Sequence, residues 1–405
     1  MSRRSTASTS RDVRDAVIDC AAVTSASQSS ALDDARGAGS AALAKVPEEL
    51  DLEPVEGLPR LVGRRLHRLL FRAISMIEQP NETLAEPITP TRGWFRRDRH
   101  RHPVVDPNTY RLTVNGVARP RTFSLDELRA LPWTERITVM ECAGNGNHWM
   151  GTCGLVAQGR FRGPSLATIL EACGGPGTST HFAFHGLDPM RPLRPGYHYG
   201  LSLEELLGAG AIVALELNGE PLPRPRGFPA RLVVPGIYSM SHVKWLGRIE
   251  GLDRPHRGFW NRHVFVNKRR RGRRWVKEEA RWIGLKSAIT RCLRDQDGWM
   301  LHGFAWGGGA PVAQVEVTFD GGTTWHRAEV LGPTDYLDDP PDDPEALRYA
   351  WSVFRIPWRP ERPGRYRLGS RATAADGRVQ PLERDPDLRG HFDVVHVKWR
   401  DVTVP

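Results

Sequence analysis

Cysteine is scarce in this chain, and the motifs that are missing around it narrow the possibilities. The 405 residues contain five cysteines, which form no C-x-x-C pair, no C-x-x-C-H haem-attachment motif and no zinc-ligand pattern. An odd, unpatterned set argues against a disulfide framework and favours a reducing compartment. The sequence also lacks an apolar run long enough to cross a bilayer. Arg3-Arg4 is not followed by an apolar signal segment, so we expect a soluble, cytoplasmic protein, with periplasmic export left open.

Glycine and proline, in contrast, are frequent. The 40 Gly and 32 Pro predict many turns and favour β-rich or mixed structure over a helical bundle. The length and the 40% hydrophobic content, with 13 Trp, allow two domains with real cores and a tail. The formal net charge of +10 indicates an anionic partner. That partner could be nucleic acid, an acidic protein surface or a small anion in a positive cleft.

Changes in sequence pattern divide the chain into three parts. Residues 1–78 begin with a stretch rich in Ser, Ala, Thr and Asp, and we predict a largely disordered tail with a short amphipathic helix at Arg68–Ile77. Residues 79–284 alternate strands and short capped helices irregularly, which predicts an α+β domain. Residues 285–405 alternate apolar and polar positions around a hairpin turn at Asp320–Gly322, which predicts an all-β sandwich.

Two charged segments interrupt this pattern. The basic stretch NKRRRGRRWVK, residues 267–277, is predicted to be a linker or an exposed loop. It could bind nucleic acid, but no folded recognition motif accompanies it, so a solvated loop is the favoured interpretation. The acidic stretch DYLDDPPDDPE, residues 335–345, is predicted to be a loop inserted in the sandwich.

One cysteine stands where a strand gives way to a glycine-rich turn. The first half of RITVMECAGNGNHWM, Arg136–Met150, has the pattern of a buried strand, and Cys142 then precedes Ala-Gly-Asn-Gly-Asn. Glycines let backbone N–H groups and ligands approach closely. Cys142 could be a buried structural thiol, a nucleophile with His148 as its base, or a soft thiolate ligand to a soft metal. The residues alone favour the structural thiol.

A longer match changes that interpretation. ECAGN, residues 141–145, together with GFPARLVVPGIYSMSHVKWLGRIE, residues 227–250, closely resembles the sulfite oxidase family of molybdenum enzymes. Similar segments, among them HGLD, KSAIT and VEVTFDGGTTW, extend the resemblance from about residue 79 to the C-terminus. The resemblance implies an α+β sulfite-oxidase-type molybdopterin-binding domain, followed by an all-β immunoglobulin-like sandwich that makes a homodimer.

The resemblance also implies one molybdenum on a single pyranopterin dithiolene, with the Cys142 thiolate as the protein ligand. This molybdopterin carries phosphate and a polar pterin, so its pocket needs cations and hydrogen-bond donors. Arg231 and Lys244 stand among apolar residues, and burial beside an anion is favoured because a buried unpaired cation costs too much. The family pattern assigns cofactor binding to Phe95, Arg96, Arg97, Asp188, Arg226, Arg231, His242, Val243 and Lys244.

The family pattern fails at two positions near the metal. Members that oxidise sulfite carry an arginine in the pattern C-A/S-G-N-x-R, where this chain has Asn147, and a tyrosine where it has Phe265. The anion-facing arginines Arg97 and Arg389 are present. Together with Cys142 these residues form the implied catalytic group. Four neighbours could compensate for the missing contacts, namely His148, Tyr199, Arg262 and His263.

The family chemistry is oxo transfer. The leading hypothesis is oxidation of a small oxyanion, sulfite, to sulfate, with an external electron acceptor such as a cytochrome. Asn147 and Phe265 motivate an alternative, an oxo-transferase of the same fold that reduces an S-oxide or an N-oxide. Neither change touches metal ligation, so the cofactor follows from the resemblance while the substrate stays open. A membrane partner is not expected, and nucleic acid is disfavoured.

Overall fold

The computed structural model describes most of the chain after residue 47. The described residues are 48–73, 76–80, 83–84, 86–98, 100–149, 153–188, 196–296, 298–307 and 309–405. Residues 1–47, where a disordered tail is predicted, lie outside them. No helix within these ranges is both long and apolar enough to span a membrane.

The segment that follows residue 47 is attached to the C-terminal end of the chain, since Glu53 pairs with Asp401 in an antiparallel ladder. The helix predicted from Arg68 begins earlier and ends at Ala73, because the next described residues, Met76 and Ile77, form a strand. The elements here are β1 (Glu53–Pro54), α1 (Leu58–Val62), α2 (Arg64–Ala73) and β2 (Met76–Ile77).

The next part of the chain mixes strands with short helices, as the sequence predicts. Its first elements are β3 (Arg96–Arg97), β4 (Arg111–Asn115), β5 (Arg121–Ser124), α3 (Leu125–Ala130), β6 (Trp133–Glu141), β7 (Val156–Pro164), α4 (Leu166–Ala172), β8 (His181–Gly186), β9 (His198–Ser202) and α5 (Leu203–Gly208). The remaining elements are β10 (Ile212–Ala214), β11 (Glu216–Leu217), β12 (Glu220–Pro221), β13 (Arg231–Val233), β14 (Leu246–Leu252), β15 (Val266–Arg271) and β16 (Arg274–Glu279).

Two sheets organise this part and position the site. One has five strands in the order β5-β4-β14-β8-β9, with β14 parallel to β4 and antiparallel to β8. The other has four strands in the order β12-β11-β7-β6. Helix α3 carries the predicted capping box, in which the Ser124 hydroxyl accepts from the Glu127 N–H and the Glu127 carboxylate accepts from the Ser124 N–H.

The basic stretch 267–277 is a hairpin rather than the predicted linker or loop. β15 and β16 pair along their whole length, from Val266 opposite Glu279 to Arg271 opposite Arg274, and Gly272 takes φ +59° in the turn. A third strand, β24 (Leu388–Arg389), lies against β15. The prediction was wrong because it was read from charge alone. Ion pairs such as Arg269 with Asp385, 2.8 Å, hold these strands where apolar alternation is weak.

The C-terminal part is rich in sheet and contains two packed sheets. Its strands and helix are β17 (Lys286–Asp295), β18 (Gly298–Trp306), β19 (Val312–Thr318), β20 (His326–Arg327), β21 (Glu329–Leu331), α6 (Pro333–Tyr336), β22 (Ser352–Trp358), β23 (Gly364–Ala374), β24 (Leu388–Arg389) and β25 (Arg400–Val404). The sheet orders are β17-β18-β22-β21 and β1-β25-β23-β19-β20. Both sheets contribute to one core around Trp299 and Phe354.

Both predicted features of this part are present. The turn at Asp320–Gly322 connects β19 to β20, and the Asp320 carboxylate accepts hydrogen bonds from the Thr323 and Thr324 N–H groups at 2.9 and 3.0 Å. The acidic stretch 335–345 lies between β21 and β22, as a loop between strands that also contains the end of α6.

Three histidines lie close together, namely His185 on β8, His198 on β9 and His256 in the loop after β14. His198 Nδ1 lies 2.8 Å from His256 Nε2, and the His198 ring stacks on the His185 ring with centroids 5.6 Å apart. Burial, together with the charges of His256, His185 and Arg248, lowers the pKa of His198 to about 4. The cluster therefore resists protonation.

We expect the stability of the protein to fall as the pH drops from about 6.5 to about 4, partly through His198. The unfolded chain takes up this proton near pH 6.5, whereas the folded chain takes it up only near pH 4, so acid favours unfolding in that window and has no such effect above it. Urea unfolding across this range should show a shallower pH dependence for His198→Asn than for the native chain. The exposed His326→Asn is the control, and equal slopes in all three proteins would contradict the prediction.

Candidate active site

Cys142 directly follows β6, where the backbone turns away from the sheet. β6 pairs with β7 up to Glu141 opposite Val156, and the Cys142 N–H donates to the Leu155 carbonyl at 3.0 Å. The Asn145 N–H then donates to the Cys142 carbonyl at 2.8 Å, which closes the turn. The last ladder contact and the turn together fix the cysteine backbone, and the thiol faces a cavity.

This cavity has a volume of about 230 Å³ and brings together side chains from distant parts of the chain. Seven of the residues predicted from the sequence line it, namely Arg97, Cys142, Asn147, Asp188, His242, Lys244 and Phe265. Asp98, a neighbour of Arg97 in the family pattern, lines it as well. Sequence reasoning missed several other lining residues, among them Tyr197, Trp245 and Phe392.

Glu141 anchors the cysteine turn from beneath and is fully buried. Its carboxylate accepts hydrogen bonds from Asn145 Nδ2 at 3.0 Å, from Trp306 Nε1 at 2.9 Å and from Lys286 Nζ. Lys286 and Trp306 belong to β17 and β18 of the C-terminal part. Asn145 Oδ1 also accepts from the Leu155 N–H at 3.0 Å. Both parts of the chain therefore hold the turn that carries Cys142.

A carboxylate and two cations form a second cluster on the cavity wall. Lys244 Nζ donates to Asp98 Oδ1 at 2.6 Å, and Arg96 Nε lies 2.9 Å from Asp98 Oδ2. Burial opposes ionisation of Asp98, but Lys244 and His102 outweigh it and hold the pKa of this carboxyl below its usual value. Asp98 thus orients Lys244 along the wall and neutralises part of its charge.

Asp188 titrates in a different range from Asp98. Burial raises the pKa of Asp188 to about 6, against the opposing charge of Lys244. Gly186 makes room for it, since a Cβ at that position would lie 2.3 Å from Asp188 Oδ2. The glycine of HGLD is therefore required by the approach of the aspartate, and the aspartate can carry a proton near neutral pH.

Arg231 is buried, as its apolar neighbours predict, with 4% of its surface exposed. Its Nη1 donates to the Arg226 carbonyl at 3.0 Å and its Nη2 to the His242 carbonyl at 3.3 Å, while Nε has no hydrogen-bond acceptor. Within the described ranges, no carboxylate lies within 4 Å of this guanidinium. Burial and the charge of Arg226 lower the pKa of Arg231 to about 9.

His242, whose carbonyl accepts from Arg231 and whose side chain lines the cavity, adds a second unsatisfied group. Its Nε2 contacts the Ile237 carbonyl at 3.0 Å, whereas Nδ1 is buried without a hydrogen-bond partner. A buried cation and an orphaned ring nitrogen both cost free energy unless an anionic, hydrogen-bonding group meets them. The donor set of Arg231, His242 and Lys244 therefore fits a phosphate-bearing pterin cofactor.

The other predicted cofactor residues support this wall from behind. Phe95 and Val243 are buried in the cores. Arg226 donates to the Phe95 carbonyl at 2.6 Å and to the Trp94 carbonyl at 2.7 Å, which fixes the backbone just before Arg96. These residues hold the segment that carries Arg97 rather than lining the cavity themselves.

The two departures from the family pattern both lie at the cavity. Asn147 Nδ2 donates to the His391 carbonyl at 3.4 Å, and Asn147 Oδ1 accepts from the Trp149 N–H at 2.9 Å. The Phe265 ring packs against the Phe392 ring, tilted by 56°, with ring centroids 5.8 Å apart. The polar amide is thus used in structural contacts, and the aromatic pair makes that side of the cavity apolar.

Arg389 is not among the residues that line the cavity, although it was predicted to face the substrate anion. β24 pairs with β15, so Arg389 lies opposite Lys268, and its guanidinium covers the Trp275 ring at 4.0 Å. Of the four residues proposed to compensate, His148 contacts His391 with ring centroids 4.9 Å apart. Tyr199 donates to Glu279, and Arg262 and His263 are exposed.

Two family models match the chain in the same order as its two parts. The oxidoreductase molybdopterin binding domain matches residues 99–260, and the Mo-co oxidoreductase dimerisation domain matches residues 286–402. The fold and the site therefore agree with the class of molybdopterin-dependent oxidoreductases that these two models describe.

Individual relatives place the chain more closely within this class. Rat mitochondrial sulfite oxidase is 33% identical over 69% of this chain and 54% of its own length, and chicken sulfite oxidase is 30% identical over 80% of this chain and 74% of its own. Barley NAD(P)H nitrate reductase is 30% identical over 61% of this chain and 32% of its own length. The chain belongs to the sulfite oxidase family of molybdenum oxidoreductases, and its cofactor is molybdenum with molybdopterin. It spans about half the length of the mammalian relatives it matches.

A solved structure has the same fold. The crystal structure of the sulfane dehydrogenase SoxCD from Paracoccus pantotrophus superposes with a TM-score of 0.68 over 94% of this chain and 98% of that chain. The sequences are 21% identical, so this likeness concerns the fold alone.

Proposed function

We propose that this enzyme oxidises sulfite to sulfate and passes the electrons to an external acceptor such as a cytochrome. The observation that carries the proposal is the cavity in which the Cys142 thiol shares a wall with Arg97 and Lys244. A thiolate suits a soft metal, and fixed cations suit an oxyanion held beside that metal. Sulfite is named for the rat and chicken relatives, whereas the barley relative is a nitrate reductase.

The cofactor would be held by residues at the cavity and directly behind it, two of which, Arg231 and His242, have a buried nitrogen without a hydrogen-bond partner. Cys142 would supply the protein thiolate, and Arg231, His242 and Lys244 would bind the phosphate and the pterin. When bound, molybdenum supplies a two-electron redox centre with an oxo group that can be transferred. Glu141 would keep the thiolate in place, because it fixes the turn on either side of Cys142.

The remaining lining residues would bind the substrate and handle its proton. Arg97 is fixed by donation from its Nη1 to the Asp98 carbonyl at 3.2 Å, and it would hold the oxyanion. Phe265 and Phe392 exclude water from one side, which strengthens a charge-assisted contact. Asp188, with a pKa of about 6, would accept a proton on its carboxylate oxygen or release one from there.

The direct test is acceptor reduction by purified, molybdenum-loaded protein. We expect sulfite-dependent reduction of an artificial acceptor, and little reaction when reduced dye is offered with small S-oxides or N-oxides. If the protein shows no turnover at millimolar sulfite but reduces an S-oxide or an N-oxide, that result would favour the alternative oxo-transferase.

Substitution of Asn147 can distinguish sulfite oxidation from the alternative, reduction of an S-oxide or an N-oxide. Its position beside the cavity motivates the alternative, since the sulfite-oxidising pattern has arginine there. We expect Asn147→Arg to lower the KM for sulfite by roughly 10- to 100-fold, because a charge-assisted contact contributes about 1.5–3 kcal/mol. Steady-state kinetics with a small dye acceptor would measure the change.

The uncharged Asn147→Gln is the matched control, since it extends the side chain without adding charge. A similar fall in KM for both variants would show that charge is not the cause. An unchanged KM in Asn147→Arg would show that the substrate anion does not bind beside this turn.

The domain boundaries and the assembly are part of the same proposal. The molybdopterin-binding catalytic domain would comprise residues 79–284, and residues 285–405 would form an immunoglobulin-like sandwich through which a homodimer assembles. The tail of residues 1–78 would then join the second domain through β1. Sedimentation of the purified protein should give the mass of two chains.

A further inference from the structure

The hairpin of β15 and β16, extended by β24, presents a row of cations on one face. Lys268 lies directly opposite Lys277 on one side and opposite Arg389 on the other. Directly opposed residues of adjacent strands share a face, so these three exposed side chains form a continuous basic row across the sheet. We refer to Lys268, Lys277 and Arg389 as the basic row.

The other face of the same hairpin is neutralised. Arg269, which alternates with Lys268 and points to the opposite side, pairs with Asp385 at 2.8 Å and with Glu278. Within the described residues, no carboxylate lies within 4 Å of the basic row. Like charges placed directly opposite one another destabilise a sheet. On the same face Arg270 lies 3.7 Å from Asp387, but within the described residues the three cations of the basic row have no such partner, and they therefore favour an anionic surface docked against them.

The two central strands of this surface lead directly from the cavity. β15 begins immediately after Phe265, and β24 ends shortly before Phe392, and both aromatic residues line the cavity. Lys268 is three positions along the extended chain from Phe265, a path of roughly 10 Å. A protein bound on the basic row would thus lie close to the cavity from which electrons must leave.

The acidic loop of the chain itself, residues 335–345, does not cover this surface. Asp343 lies 3.4 Å from Arg136 and Asp339 lies 3.8 Å from Arg160, both on the catalytic part. Part of the acidic charge in this loop is therefore already paired within the chain, which argues against a second copy as the occupant of the basic row.

We propose that the basic row is the docking surface for the acidic face of a one-electron haem protein that accepts the electrons. The inference rests on the proposed function. Each sulfite ion, with one water, yields sulfate, two protons and two electrons, and two oxidised haem irons take one electron each. Electrostatic complementarity would raise the association rate and orient the haem edge towards the cavity.

The test uses two forms of one haem protein that differ only in surface charge. Native cytochrome c is basic, whereas succinylated cytochrome c carries carboxylates in place of its lysine charges. We expect the dimeric, molybdenum-loaded enzyme to bind and reduce the succinylated form roughly tenfold better at low ionic strength. In Lys268→Glu/Lys277→Glu this preference should vanish, when reduction is expressed relative to turnover with a neutral dye.

The matched control is Arg327→Glu/Arg362→Glu, which removes two exposed cations of the C-terminal part with the same change in net charge. It should keep the preference. The proposal is overturned if the native enzyme does not prefer the succinylated form, or if both double variants lose the preference equally. It is also overturned if the only change in the lysine variant is weaker binding to a short DNA duplex, or if the only change is in the KM for sulfite. Titration of oxidised cytochrome needs no turnover, so failure of sulfite oxidation remains distinguishable from failure of docking.

Discussion

Replacing Cys142 with serine is expected to remove the molybdenum centre in its native form. A hydroxyl is a harder and weaker ligand than a thiolate, so the metal should be lost or its absorption and EPR spectra changed. Loss of groups that merely support a metal ligand lowers affinity or activity by about 10- to 100-fold, so loss of the direct ligand should exceed about 100-fold. Metal analysis and absorption spectra of matured protein measure the effect without relying on turnover.

Cys153→Ser provides the matched control for this substitution. Cys153 is buried under the same turn, since a Cβ at Gly146 would lie 3.0 Å from its Sγ. It makes the same thiol-to-hydroxyl change without reaching the cavity lining. We expect this variant to keep its molybdenum and its spectrum. Retention of both by Cys142→Ser would show that the metal binds elsewhere.

Glu141→Ala is expected to cost about 3–5 kcal/mol of stability, because it leaves the ammonium of Lys286 buried and unpaired. The same change removes the acceptor for Asn145 Nδ2 and Trp306 Nε1, so the turn that carries Cys142 loses its anchor. We therefore expect a lower molybdenum content as well. Urea unfolding gives the free energy of unfolding, and metal analysis of the folded fraction gives the occupancy.

Two further variants separate charge from packing. Glu141→Gln keeps an oxygen acceptor but removes the charge, so its loss of stability should be smaller than that of the alanine variant. Glu141→Gln/Lys286→Met removes the unpaired cation and should recover part of the loss. If the alanine variant were as stable as the native protein, the buried pair would have no structural role.

The sequence identifies the parts of the site that are encoded locally. Cys142 and Asn147 lie in one short turn, and the motif that contains them places both at the cavity. Arg231 stands between apolar residues, and its burial follows directly from that context. The helix caps and the strand alternation likewise depend on neighbours within a few residues, which is why the α+β and sheet-rich parts were predictable.

Contacts between distant segments were not predictable in this way. Glu141 is adjacent to the predicted ligand, yet its partners Lys286 and Trp306 are 145 and 165 residues further along the chain. Arg389 has the expected motif around it, but pairing of a two-residue strand with β15 directs it onto Trp275. The hairpin of residues 267–277 is held by ion pairs, which leave no alternating apolar pattern to detect.

Lys286 and Trp306 both donate to the Glu141 carboxylate beside Cys142, so the proposed pocket is complete only after both halves of the chain have met. A first half folded alone would present the thiol on a loosely held turn. We therefore expect the cofactor to be inserted late in maturation, after the two halves are joined.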